Sequence, residues 1–289
     1  MTEFEHRYWS SRDGLRLHYR DYPASAPDGD ARPPLLCLPG LTRNARDFAG
    51  LAGRLAGQWR LICPDLRGRS DSDWAKDAAS YNALQYVEDV ELLLDGAGIA
   101  QVVAIGTSLG GMMTALLALK RPALVAGAVL NDIGPVIEPA GLERIADYVG
   151  QGRSFPTWMH AARALEEAHG GAHPGFGLKD WLDMAKRVMA VGPNGRIVFD
   201  YDMKIAEPFE AGRNGPAPDL WPAFEALAGK PVLCLRGALS DILSAETLAG
   251  LAARLPGAEA VTLPGVGHAP TLDEPEAIAA IGRLLARIG

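Results

Sequence analysis

The stretch QVVAIGTSLGGMMTALLAL, residues 101–119, decides the fold. Its first half is β-branched and apolar, its second half favours a helix, and glycines break it between Gly106 and Gly111. No charge falls between Gly96 and Leu119, a length that could cross a bilayer. The glycine-broken centre argues instead for a buried strand, a tight turn and a buried helix. Gly106-Thr107-Ser108-Leu109-Gly110 also fits the pattern G-x-S-x-G in the strand-to-helix setting that such a motif requires. A serine at that turn is held in a strained backbone conformation. Gly106, Gly110 and Gly111 have a steric reason, because strand and helix nearly touch there. The turn exposes the Ser108 hydroxyl and aims the Leu109 N–H into the same space.

Working outward, short apolar runs recur on both sides: PLLCLPG at 34–40, WRLICPD at 59–65, VAGAVLND at 125–132, VLCLRG at 232–237 and AVTLPG at 260–265. Such runs suit strands covered on both faces. Helical stretches alternate with them at 45–56, 82–95, 109–120, 244–254 and 275–288. In the 82–95 helix Leu84, Val87, Val90 and Leu94 line one face, with Glu88, Asp89, Glu91 and Asp95 outside it. Residues 5–22 read as a hairpin turning at Asp13-Gly14, followed by a loop rich in Pro and Asp. Repeated strand–helix units imply an α/β fold, a parallel sheet covered by helices. The alternation lapses over 135–218, where helices are expected around 139–150, 156–169 and 178–190. The chain therefore divides into a core, 1–134 and 219–289, and an insertion, 135–218. The insertion belongs at the carboxyl ends of the strands, where open α/β sheets bind ligands.

A serine hydroxyl needs a base, and the base a carboxylate to orient it. Of six histidines, His268 alone follows a late buried strand, in LPGVGHAP at 263–270. His6 and His18 fall in the hairpin. His160, His169 and His173 fall in the insertion, and the glycines between His169 and His173 favour a solvated loop over a metal pair. For the carboxylate, Asp241 in RGALSDIL (236–243) is preferred over Asp132, which ends the strand at 125–131 and could instead tie loops together. The loop LPGLTRN at 38–44 offers the Leu41 N–H as a second donor beside that of Leu109.

The 289 residues suffice for one or two domains without a disulfide or metal staple. Lys plus Arg number 28 against 35 for Asp plus Glu, a net charge of −7 that argues against nucleic acid as a partner. The polar N-terminus shows no signal peptide, so a cytoplasmic protein without a membrane partner is expected. Cys37, Cys63 and Cys234 lie in apolar runs and read as buried strand thiols.

The elbow GTSLGG, the RGALSDIL and GVGHAP segments and Asp65-Leu66-Arg67-Gly68-Arg69-Ser70 together resemble the α/β-hydrolase family, in order and spacing. The resemblance covers essentially all of the chain outside 135–218. It implies a mostly parallel eight-stranded sheet with an inserted helical cap. Ser108 would be nucleophile, Asp241 acid and His268 base, with Leu41 and Leu109 as oxyanion donors and no metal or organic cofactor. Many relatives carry His-Gly where this chain has Pro39-Gly40, and a serine rather than an aspartate at 108 disfavours dehalogenase or epoxide hydrolase activity. The expected reaction is hydrolysis of a small or medium ester or lactone. The alternatives are carbon–carbon bond hydrolysis of aromatic ring-cleavage products and a silent ligand-binding member of the fold. Phe155, Trp158, Met159, Trp181, Met184, Met189, Phe199 and Tyr201 suggest an apolar pocket for a small-molecule substrate, and Arg153, Arg163, Arg187 and Arg196 are candidates for a substrate carboxylate. An apolar sheet edge would allow a homodimer.

Overall fold

The structure, a computed structural model, describes residues 3–25, 32–213 and 215–288. Residues 26–31 of the Pro- and Asp-rich loop lie outside it.

Eleven strands form among the described residues. The hairpin strands are β1 (Glu5–Ser10) and β2 (Arg16–Tyr22). Then follow β3 (Leu35–Leu38), β4 (Leu61–Asp65), β5 (Val102–Thr107) and β6 (Val125–Asn131). After the inserted segment come β10 (Val232–Gly237) and β11 (Glu259–Leu263). These eight make one sheet in the order β1-β2-β4-β3-β5-β6-β10-β11, antiparallel at β1–β2 and β2–β4 and parallel elsewhere.

The apolar runs explain the central strands. Along β3, Leu36 and Leu38 point into one core while Leu35 and Cys37 point into the other, and all four are fully buried. The same period of two sends Val102 of β5 to one side, and Val103 and Ile105 to the other. The first core is closed by α2 (Ala83–Gly96) and α3 (Leu109–Lys120) through Val87, Val90, Leu94, Met113 and Leu117. The second is closed by α1 (Ala49–Leu55) and α10 (Pro275–Leu285) through Leu51, Ile281 and Leu284. Each fully buried leucine or isoleucine contributes about 1.5–3 kcal/mol. The three cysteines are buried and unpaired.

The acidic face of α2 departs from expectation. Asp89 is buried, not solvated, because the fully buried Arg67 grips it through two hydrogen bonds of 2.7 Å. A lone buried charge would be too costly, so the loop after β4 and α2 bury their charges as a pair.

Between β6 and β10 the chain forms α4 (Pro139–Ala146), α5 (Trp158–His169), α6 (Leu178–Val188), α7 (Ala206–Arg213) and α8 (Trp221–Glu225). It also forms a small antiparallel sheet of β7 (Ser154–Phe155), β9 (Ile197–Phe199) and β8 (Met189–Val191) that the helical reading of this segment did not foresee. Trp181, Phe155, Met189 and Ile197 form a third core within the segment. The carbonyl of Arg187, in the last turn of α6, accepts from Asn44 Nδ2 at 3.0 Å and Arg46 Nε at 2.9 Å. Arg46 reaches on to Ser70 Oγ and to the Asp200 carboxylate. Side chains of the core thus satisfy an orphan carbonyl of an inserted helix. The remaining strand–loop–helix unit places α9 (Ala245–Arg254) after β10. No described helix is long and apolar enough to cross a membrane.

Candidate active site

Ser108 stands between β5 and α3 with φ 53° and ψ −116°, a region that side chains other than glycine rarely occupy. Close approach of strand and helix enforces this turn. A Cβ at Gly106 would strike the Gly110 carbonyl, and one at Gly110 would strike the Leu38 carbonyl. Asn131, the last residue of β6, braces the turn. Its Nδ2 donates to Thr107 Oγ1 at 3.0 Å and to the Pro270 carbonyl at 2.9 Å, joining the serine turn to the loop that carries His268.

His268 follows β11 and reaches the same rim. Its Nε2 lies 3.0 Å from Ser108 Oγ and its Nδ1 lies 2.7 Å from Asp132 Oδ2. A carboxylate only accepts, so Nδ1–H donates to Asp132 and Nε2 is left to accept from the serine hydroxyl. The expectation that Asp241 would orient His268 is therefore corrected: Asp132 does so. The reason is register. Thr107 pairs with Asn131 across the β5–β6 ladder, so Ser108 and Asp132 leave their strands at the same level. Asp132 also carries a positive φ, 56°. Asp241 lies farther along the loop after β10, where Arg144 of α4 takes both its oxygens, at 2.5 and 2.8 Å. That guanidinium holds the Asp241 carboxyl below the usual carboxylate range.

The loop after β10 still serves Asp132. Gly237 N–H donates to Oδ1 at 2.8 Å and Ser240 Oγ to Oδ2 at 2.6 Å. Ser240 Oγ already accepts the N–H groups of Ile242 and Leu243, so its own proton must go to Asp132. Asp132 is fully buried with three donors on two oxygens.

A cavity opens over Ser108 and His268. Gly40, Leu41 and Arg43 wall it on the core side, and Arg144, Tyr148 and Leu165 face them from the inserted segment. A Cβ at Gly40 would lie 3.8 Å from Ser108 Cβ, which is how closely that loop approaches the serine. Among the described residues no hydrogen bond takes up the N–H of Leu41 or of Leu109. The Leu41 carbonyl is gripped by the buried Arg69 guanidinium at 2.6 and 3.0 Å, which fixes the loop.

Of the residues expected to line a pocket, Met184, Phe199 and Tyr201 do so, whereas Met159 is exposed. Arg187 lines the cavity but is engaged by Asp273, and Arg163 and Arg196 bind Glu166 and Ser154. Arg43 and Arg144 border the cavity and were not foreseen. Nor is the 169–173 loop solvated. His169 and His173 both face the cavity, His173 is 6% exposed, and the Ala172 carbonyl accepts Gly267 N–H beside His268. Burial, reinforced by the Arg43 charge, pushes both imidazoles down to about 4, so they are neutral at pH 7.

A family model described as the alpha/beta hydrolase fold matches residues 33–275. The chain belongs to that family. This hydrolase is 62% identical, at a TM-score of 0.94 and over 100% of both chains, to the crystal structure of an alpha/beta hydrolase from Novosphingobium aromaticivorans. It is 38% identical to the 3-hydroxybutyrate-oligomer hydrolase of Cupriavidus necator, over 85% of each chain. It is 28% identical to the 2-(acetamidomethylene)succinate hydrolase of Mesorhizobium japonicum, over 82% of this chain and 81% of that one.

Proposed function

We propose that the protein is a serine hydrolase of short carboxylic esters, with oligoesters of a small hydroxy acid as its substrate class. The observation that carries the reading is the unbroken chain Ser108 Oγ–His268 Nε2, Nδ1–Asp132 Oδ2 at the floor of a cavity. In the proposed mechanism Ser108 Oγ attacks the ester carbonyl carbon as its proton passes to His268 Nε2. Asp132 stabilises the resulting imidazolium. The Leu41 and Leu109 N–H groups, left without other acceptors, donate to the oxyanion. His268 then returns the proton to the departing alkoxide, leaving an acyl-Ser108. Water, deprotonated by His268, hydrolyses that acyl group and frees the serine. Losing one oxyanion donor of this kind costs about 10² to 10³ in kcat.

The substrate class draws support from the similarity to a 3-hydroxybutyrate-oligomer hydrolase. It also draws support from the cavity's chemistry. Leu165, Met184 and Phe199 suit short aliphatic units, and Arg43 and Arg144, already paired with Asp47 and Asp241, would take the free carboxylate that ends such an oligomer by exchanging those partners. The segment 135–218 then acts as a cap that selects the substrate.

The test is turnover of 4-nitrophenyl butyrate and of 3-hydroxybutyrate dimer and trimer by wild type and Ser108→Ala. Wild type should cleave all three, and the variant should lose about 10⁴-fold or more. Cleavage of the nitrophenyl ester alone would overturn the substrate class. Equal rates in wild type and variant would overturn the serine mechanism.

A further inference from the structure

We propose that His6, His18 and Asp71 bind a divalent transition-metal ion on the β1–β2 hairpin, through residues that play no part in the cavity above Ser108. The ligand atoms of the three side chains lie within 4.8 Å of one another. His18 Nε2 faces His6 Nδ1 at 2.8 Å. Two ring nitrogens at that distance need a proton or a cation between them, since each presents a lone pair or an N–H along the same line.

The other nitrogen of His18 leaves Nε2 able to accept either. His18 is fully buried, and its Nδ1 lies 2.6 Å from Asp65 Oδ2. The carboxylate fixes Nδ1 as the protonated nitrogen and leaves Nε2 with its lone pair turned to His6. A carboxylate behind a ligating imidazole is the usual outer support of a metal site, orienting the ring and raising its basicity. Asp65 is itself anchored, because its Oδ1 accepts Ala45 N–H at 2.7 Å. The Asp71 carboxylate is half-exposed, makes no hydrogen bond among the described residues and stands 3.9 Å from His18 on its Nδ1 side, so it must swing toward Nε2 to share an ion with His6. The cations close by are turned aside. Arg20, opposite His6 in the ladder, lies over the Phe4 ring, and Arg16 lies over the Tyr8 ring.

The geometry selects the ion. With metal–nitrogen bonds of about 2.05 Å, a 2.8 Å separation subtends roughly 86° at the metal, close to the right angle of octahedral or square-planar coordination. Opening the pair to about 3.3 Å, within reach of the exposed His6, gives the tetrahedral angle that Zn²⁺ takes. Two imidazoles and one carboxylate favour Ni²⁺, Cu²⁺ or Zn²⁺ over Mg²⁺ or Ca²⁺. Bound there, the ion would tie the hairpin through His18 and Asp65 to Ala45, just beyond the loop that carries Leu41.

Calorimetric titration of the chelator-treated full chain with Zn²⁺ and Ni²⁺ tests this. One equivalent should bind with a micromolar Kd, while Mg²⁺ at the same concentration gives no heat. Metal at 100 times Kd should raise Tm by about 4 °C. His6→Ala should weaken binding by about 100-fold or more, and Asp71→Asn by about tenfold. His6 is exposed, so its variant keeps the fold. Absence of saturable binding below about 1 mM, or equal affinity in His6→Ala and wild type, would overturn the site.

Discussion

Asp132 follows β6 and Asp241 sits in the loop after β10, the neighbouring strand of the same sheet. Both carboxylates are held by two-sided hydrogen bonding, but to opposite ends. Asp132 is sealed beneath the rim and turned to His268, with Gly237 and Ser240 at its back. Asp241 is part-exposed and turned to Arg144 of the inserted segment. The loop after β10 thus contributes a hydroxyl and an N–H to Asp132, while its own carboxylate turns to Arg144. A similar contrast separates two histidines of the cavity. His268 has a carboxylate on Nδ1, whereas the buried Nδ1 of His173 has no hydrogen-bond partner among the described residues. Which residue is chemically poised depends on the neighbour that strand register supplies, more than on residue type or order along the chain.

The largest expected effect comes from exchanging the first carboxylate. Asp132→Asn should lower kcat by about 10³ to 10⁴, since the amide would favour the wrong tautomer of His268. If Asp241→Asn lost as much in the same steady-state assay, the contrast between the loops would be reversed.

The histidine contrast is read in stability. The ordinary imidazole value is 6.5, and burial with the Arg43 charge holds folded His173 at about 4. As pH falls, the unfolded chain takes up this proton first. Stability is therefore full above pH 6.5 and declines until about pH 4, by up to roughly 3 kcal/mol for this one group. In urea unfolding between pH 7 and 4, His173→Phe should flatten that decline. An unchanged slope would mean that the imidazole is protonated in place.

Ser240→Ala sharpens the role given to the loop after β10. Losing one donor should cut kcat/KM about tenfold. Ser240→Thr should restore the rate. An unchanged kcat/KM in Ser240→Ala would reduce Ser240 to a packing residue.

The smallest effect belongs to the second carboxylate. Its pair with Arg144 is part-exposed, so Asp241→Asn should cost at most about 1 kcal/mol in denaturant unfolding and change kcat by less than about threefold.

These contrasts mark where the sequence could be read. The continuous apolar runs at 35–38, 61–65, 102–107, 125–131 and 232–237 are legible because a strand buried on both faces has no other composition available. Ser108 and His268 are legible because each ends such a run. Asp132 ends one too. Choosing between it and Asp241 needed the sheet order and the pairing of Thr107 with Asn131, neither of which chain order contains. The strands Ser154–Phe155, Met189–Val191 and Ile197–Phe199 are too short for a period of two to show. The glycines at 170 and 171 imitate a solvated loop, but Phe176 and Trp181 pack on His173 and the distant Gly267 N–H donates to the Ala172 carbonyl. Asp89 looked solvated on its helix because its partner, Arg67, is 22 residues earlier.

The Arg187 carbonyl bears on how substrate comes and goes. Two core side chains grip it, and Arg46 continues from there to Asp200. On that flank the inserted segment is a roof pinned at its corner and not a door. Opening on that flank would first have to break these hydrogen bonds.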